Sequence, residues 1–415
     1  MSNSGSFGDS PSSRVISGIL SNRGKVNGLY VPDYQSRMIS DSLRTEIAII
    51  PSSSAPSFGG VCILDFREKN CVLHNLCLNL NLTPVTGISG GTNPNLNPGN
   101  FFFDRIEMFV SGVCMHTIFG VENHLLNQIL ENDEQRIARN YGTALYSSAV
   151  NRNTFFTAGG NYYINLKSFI DVIRPTILND SHNIQFKVYF NTLGSVFNAV
   201  GGTGTPVCSM NSASLVAKIT RLDQNTASYK LQELTKMGSL HTMYHETKPM
   251  TAILNSGITT TNIVLSALSG NIACLWFVIR PTSGLSGSGM WNFLQIRSFA
   301  LVSSSGENLV GGSQIPALLS TSILNTRWSK STYCTETSLG GTDNAANYYC
   351  WSFSADPVAS LKDGCDFGSR KFTGSEQLQI TFNSALASTH QIDIYAYSEC
   401  IADQTLSGIR KIVVN

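Results

Sequence analysis

Short runs of alternating apolar and polar residues, cut by glycine, proline and asparagine, recur along this chain, and their order repeats about 194 residues later. Ile184-Gln185-Phe186-Lys187-Val188 has a counterpart in Leu378-Gln379-Ile380-Thr381-Phe382. Phe109-Val110-Ser111-Gly112 has one in Val302-Ser303-Ser304-Ser305-Gly306. Successive side chains of a strand point to opposite faces, so a period of two marks a strand with one face on a core. Two successive halves of this kind predict two β-sandwiches.

The pattern predicts strands near 44–50, 60–66, 71–82, 102–111, 162–170, 184–191 and 213–222 in the first half. The second half is expected to hold 239–247, 260–267, 272–280, 291–303, 348–354, 376–383, 390–399 and 408–414. Ile272 to Ile279 is apolar at every position, as a strand covered on both faces would be. Glycine-rich loops are expected at Thr86-Asn100, Ala199-Pro206 and Ser283-Gly289. Helical spacing is confined to Val121-Asp133, Ala227-Met237 and Ser313-Leu324. In the second of these, Leu231 and Leu234 share a face and Gly238 supplies a stop. The expected fold is therefore all-β, two tandem eight-stranded jelly rolls with a few short helices. Its parts are a flexible arm (1–27), a first sandwich (28–238) and a second (239–415).

Composition narrows the function. Charged residues make up only 13% of the 415 residues, against roughly 25% in an ordinary soluble protein. Serine, threonine, asparagine and glycine fill the gap, and such neutral polar surface is cheaper to desolvate against neighbours than charge. The net charge of +1 argues against a large phosphate-neutralising face, and no sequence-specific nucleic-acid contact is expected. The first residues lack the charged start and apolar run of a secretory signal, which predicts synthesis in a cytosolic or nuclear compartment. The longest apolar run is less than half of the ~20 residues a membrane span requires. The ten cysteines include no Cys-x-x-Cys pair and are expected to be free thiols.

Each motif that could carry chemistry has a plainer reading. His241 and His245 are four apart, but on a strand that separation is ~13 Å, too far to share a metal. Asp356, Asp363 and Asp366 lack the spacing of a calcium loop and read as turn residues beside Gly364 and Gly368. Gly87-Ile88-Ser89-Gly90-Gly91 has the form of a nucleophile elbow, yet Pro94 and Pro98 follow where the helix should start. Gly201-Gly202-Thr203-Gly204 lacks the lysine of a phosphate loop. Cys71 and His74 are expected to be packing residues. Tyr162, Tyr163, Tyr348, Tyr349 and Trp351 read as core and interface residues. The glycosylation patterns at Asn81 and Asn179 read as accidental. No residue is assigned a catalytic, cofactor-binding or metal-binding role, and no cofactor is expected.

Tyr348-Tyr349-Cys350-Trp351-Ser352-Phe353-Ser354-Ala355-Asp356-Pro357, followed by Ser360-Leu361-Lys362-Asp363-Gly364-Cys365-Asp366-Phe367, resembles the double jelly-roll major capsid proteins of icosahedral double-stranded DNA viruses. That group includes large eukaryotic DNA viruses, virophages, polinton-like elements and tailless phages. Asp363 stands where the family has a serine before the glycine, and Phe367 follows sooner than in the family. In the first half, Phe103 to Gly112 is similar to the family's strand and turn before its helix, and Tyr163 to Leu166 and Ile184 to Phe190 extend the likeness. The resemblance implies a non-enzymatic building block. It implies homotrimers of nearly sixfold outline that meet neighbouring capsomers, together with minor capsid or penton proteins and an internal membrane as further partners. The expected location is the virion, after assembly in the host cytoplasm or nucleus. Another viral coat or spike element and a carbohydrate-binding β-sandwich are the alternative readings.

Overall fold

The computed structural model describes residues 44–88, 100, 102–130, 157–197, 204–282, 293–309, 315–316, 349–354 and 368–413. In the first half the strands are β1 (Arg44–Pro51), β2 (Val61–Phe66), β3 (Cys71–Leu82), β4 (Thr86–Ile88), β5 (Phe103–Val110), β6 (Val113–Phe119), β7 (Gly160–Leu166), β8 (Thr176–Ile177), β9 (Ile184–Phe190), β10 (Gly204–Val207) and β11 (Met210–Arg221). The second half holds β12 (Leu240–Leu254), β13 (Thr260–Val264), β14 (Ser269–Pro281), β15 (Ile296–Val302), β16 (Ile315–Pro316), β17 (Tyr349–Ser352), β18 (Arg370–Thr373), β19 (Gln377–Phe382), β20 (His390–Thr405) and β21 (Gly408–Val413).

The first half stacks sheet β1-β11-β3-β7 on sheet β2-β9-β5-β6, and the second stacks β12-β20-β14-β17 on β13-β19-β15-β16. Taken in chain order, the principal strands of either half read 1-8-3-6 in one sheet and 2-7-4-5 in the other. All these pairs are antiparallel. This is a jelly roll made twice. The repeated sequence segments occupy equivalent places, since β9 and β19 are both the seventh strand of their sandwich.

Alternation builds each core. In β9, Ile184, Phe186 and Val188 are buried while Gln185, Lys187 and Tyr189 alternate with them. Leu76, Leu78, Leu80 and Leu82 of β3 do the same. β5 turns into β6 through Ser111 and Gly112, both at positive φ (51° and 81°), the backbone of a tight hairpin whose twist suits its strands.

Several expectations are corrected. β6 occupies residues between the Ser111-Gly112 turn and the helix Gly120–Leu130, where no strand was expected. The strand expected over 162–170 ends at Leu166, because Ser168 and Asp171 form a capping box that starts the helix Phe169–Ile173. Thr86–Ile88 and Gly204–Val207, expected in loops, pair with each other. A Cβ on Gly87 would lie 2.4 Å from the Thr205 carbonyl oxygen, so glycine permits that close pairing. Leu193–Val196 forms one helical turn between β9 and β10, where no helix was expected. Ile315–Pro316, expected in a helix, pairs with β15, an edge position where proline's missing N–H does no harm. β12 and β20 run well past their expected ends and stay in register from Leu240↔Gln404 to Leu254↔His390.

The helix Gln224–Met237 joins the halves. It is capped by Asp223, whose carboxylate accepts from Thr226 N–H at 2.6 Å, and it stops at Gly238 (φ 75°). Leu234 is buried, whereas Leu231 is 39% exposed, so the helix covers the body with a narrower stripe than its two leucines suggested. The arm 1–27, most of the Ser313-Leu324 stretch and the Ser283-Gly289 loop lie outside the described residues.

Candidate functional site: the seam between the sandwiches

One sheet of the second sandwich is a wall shared by both halves. Ile272 to Ile279 of β14 are all buried, as the continuous apolar run predicts. Leu275, Phe277 and Ile279 point into the second core, while Cys274, Trp276 and Val278 join the core cluster of the first. β20 divides in the same way, with Ile392, Ile394 and Ala396 on one side and Tyr395 and Tyr397 on the other.

From the first half, β6, the helix Gly120–Leu130 and the helix Phe169–Ile173 meet this wall. The Phe119 and Tyr395 rings lie 5.7 Å apart, and those of Phe169 and Tyr244 5.4 Å apart. The Tyr244 hydroxyl donates to the Met115 carbonyl at 3.0 Å. His182 accepts Leu178 N–H on Nδ1 (3.3 Å), which leaves the proton on Nε2 to donate to the Thr405 carbonyl (2.6 Å). Gln404 donates to the Thr176 carbonyl (2.6 Å), and Asn179 to that of Leu406 (3.0 Å).

The helix Gly120–Leu130 brings polar groups into the seam. A Cβ on Gly120 would lie 2.3 Å from the Asn100 carbonyl oxygen, so only glycine lets the helix start this close to the sheet. Asn123 donates to Asn100 Oδ1 (2.6 Å) and the Asn165 carbonyl (2.9 Å) and accepts from Lys167 N–H (2.9 Å). Glu122 is buried on the other side, where Thr247 Oγ1–H, Phe119 N–H and the Tyr397 hydroxyl hydrogen-bond its carboxyl. Burial pushes that carboxyl up to about 7 against the pull of these donors. Burial, with Lys411 nearby, holds His116 down to about 3. Sequence reading missed Glu122: an acid in a first helical turn looks like an ordinary dipole partner, and the groups that bury it lie more than a hundred residues away.

The sequence motifs do not assemble into a reactive site. His241 lies in β12 with Asp403 Oδ1 3.4 Å from its Nδ1, and His245 is buried four residues along the same strand. Among the described residues no cluster of metal-ligating side chains forms. Cys71 faces the core, where burial pushes its thiol up to about 12, while His74 points out and contacts Thr220 Oγ1 at 2.7 Å. Tyr162 is buried against Phe102, and Tyr163 is exposed. The Tyr349 hydroxyl accepts Ile296 N–H in the second core, and Trp351 is partly buried. Asn81 forms a side-chain ladder with Asn161 and Asn211, and Asn179 caps a short helical turn. The eight described cysteines are free thiols. Asp356, Asp363, Asp366, Tyr348 and Ser89 lie outside the described residues.

No known protein-family model matches the chain, and no curated protein matches it in sequence. Solved structures do match in fold. The Faustovirus major capsid protein superposes with a TM-score of 0.61 at 8% identity, covering 97% of this chain and 98% of its own. The PBCV-1 virus capsid chain gives 0.60 at 13% identity over 91% of this chain and 99% of its own. The mavirus major capsid protein gives 0.55 at 9% identity over 88% and 90%. Two sandwiches of identical strand order, joined through a shared wall and matched nearly end to end, give this chain the double jelly-roll fold of viral major capsid proteins.

Proposed function

We propose that this chain is a major capsid protein, a non-enzymatic subunit that forms homotrimers of nearly sixfold outline and tiles them into an icosahedral shell. The observation that carries this reading is the duplicated sandwich with a buried, hydrogen-bonded seam, matched over most of its length by capsid proteins. Fusing two jelly rolls through one wall makes a rigid block with two similar sides, from which three copies can present six. The sandwiches are taken as 28–238 and 239–415, with 1–27 as an arm that orders against neighbouring trimers, minor capsid proteins or an internal membrane. The low charge suits surfaces covered by other subunits. Contacts between capsomers can be individually weak, because a shell contains many.

The solution mass of the purified chain, by light scattering with negative-stain imaging, tests this. A particle near three times 45.0 kDa with a hexagonal outline is expected. A monomer at all concentrations overturns the reading.

A further inference from the structure

We propose that the outer face of the first sandwich carries a binding pocket for a small oxyanion of the phosphate class, built around Arg174, Lys218 and His74. A cavity of about 260 Å³ opens there between β1, β3, β11 and the end of the helix Phe169–Ile173. It is not part of the seam, and the capsid reading does not require it.

The backbone constructs this pocket deliberately. β3 and β11 pair regularly from Ser212↔Asn81 to Lys218↔Asn75, then shift to Ile219↔Leu73. His74 is the extra residue of that bulge, so His74 and Asn75 both turn away from the core. Bulges re-aim side chains in this way, often beside sites. Arg174 ends the helix at φ 44°, a left-handed conformation uncommon outside glycine, with its N–H bonded to the Ile170 carbonyl. Its backbone is thereby pinned at the rim. Thr45 and Thr220, opposite each other on β1 and β11, add two hydroxyls.

The charges are arranged for an anion. Among the described residues neither Arg174 nor Lys218 forms an ion pair. The one acid of the lining, Asp171, already accepts Asn75 Nδ2 at 2.7 Å on one oxygen and Ser168 N–H at 2.9 Å on the other. Lys167 and Arg174 also act on it, so Arg174 is partly balanced by this carboxylate while Lys218 is not. His74 feels both cations, and burial together with Arg174 and Lys218 lowers its affinity for a proton. The lining thus sets two cations against one carboxylate, a net positive charge that suits an anion. A guanidinium, an ammonium and the Thr45 hydroxyl, beside a Thr220 hydroxyl already in contact with His74, suit a tetrahedral oxyanion better than a planar carboxylate.

The test is calorimetric titration of the full chain with inorganic phosphate, in parallel with glycerol 3-phosphate and acetate. Saturable binding of either phosphate is expected. The preferred one identifies a free ion or a phosphomonoester as the source. Arg174→Gln with Lys218→Gln should weaken binding at least about tenfold, the loss of a charge-assisted contact. Both side chains are exposed, so the double variant should melt with the wild type. By linkage, phosphate should raise the titration midpoint of the His74 imidazole, read by NMR, at constant ionic strength. No saturable phosphate binding, equal binding by the double variant, or acetate binding as tightly as phosphate would overturn the proposal.

Discussion

The sheet β1-β11-β3-β7 of the first sandwich and the sheet β12-β20-β14-β17 of the second have the same strand order and opposite outer surfaces. The outer face of the second presents Trp276, Tyr395 and Tyr397 to the first half and is buried. The equivalent face of the first carries Ile47 and Ile49 (69% and 68% exposed), Tyr163 and the asparagine ladder of Asn81, Asn161 and Asn211. The two halves share one frame of principal strands. Side chains on one face of one sheet then decided which became an internal wall and which remained a surface. A fold can be copied while its surfaces diverge, since the outward half of the period-2 pattern is unconstrained by the sandwich's own core.

The sharpest way to break the comparison is to treat the wall as if it were a surface. Trp276→Ala removes a side chain that is 2% exposed and sits between the halves. It should cost about 3–5 kcal/mol, read as a lowered urea midpoint. A loss below about 1 kcal/mol would mean that the seam is not a packed core.

A smaller effect comes from the acid in the wall. The Glu122 carboxyl titrates at about 7 when folded and near 4.5 when unfolded, so the folded state binds its proton more tightly. The groups facing it, Tyr397, Tyr395 and Cys274, are themselves pushed up by burial and stay neutral over this range. Its contribution is fully present below about pH 4.5 and fades as pH rises through about 7, a loss on the order of 3 kcal/mol. Glu122→Gln should remove that slope, measured as the difference between the two stability curves from pH 4 to 8. Parallel curves would place the charge of Glu122 elsewhere than in the seam.

How much of this was legible follows from what a strand pattern encodes. Alternation in β3, β9 and β19 located the cores, because burial on one face imposes a period of two. The unbroken run Ile272–Ile279 announced a strand covered on both faces, though not what covered it. β6 escaped because Met115 and His116 are both buried in succession, one facing its own core and the other the seam, which erases alternation. The helix Phe169–Ile173 escaped because Ser168 and Asp171 supply a local cap within an apolar stretch that also reads as strand. The seam itself was not legible. Glu122 and Thr247, or His182 and Thr405, meet only through tertiary packing between halves. The bulge at His74 was equally silent, since it is defined by the register of a partner strand far along the chain.

The smallest effect on the isolated chain is expected at the free surface, and it sharpens the comparison most. Ile47 and Ile49 project from the outer side of β1 while Ile50 is buried and Ala48 packs against the core. Ile47→Ser with Ile49→Ser should leave the urea midpoint of the separated chain within about 0.5 kcal/mol of wild type, because exposed side chains contribute little to folding. Two exposed isoleucines side by side on an edge strand are nevertheless a liability that an uncovered surface normally avoids. If copies of this chain cover them, the same double substitution should lower the mass measured by light scattering at a fixed concentration. An unchanged mass would assign the face to the outside of the particle, and a lowered folding stability would show that β1 is held by more than its own sheet.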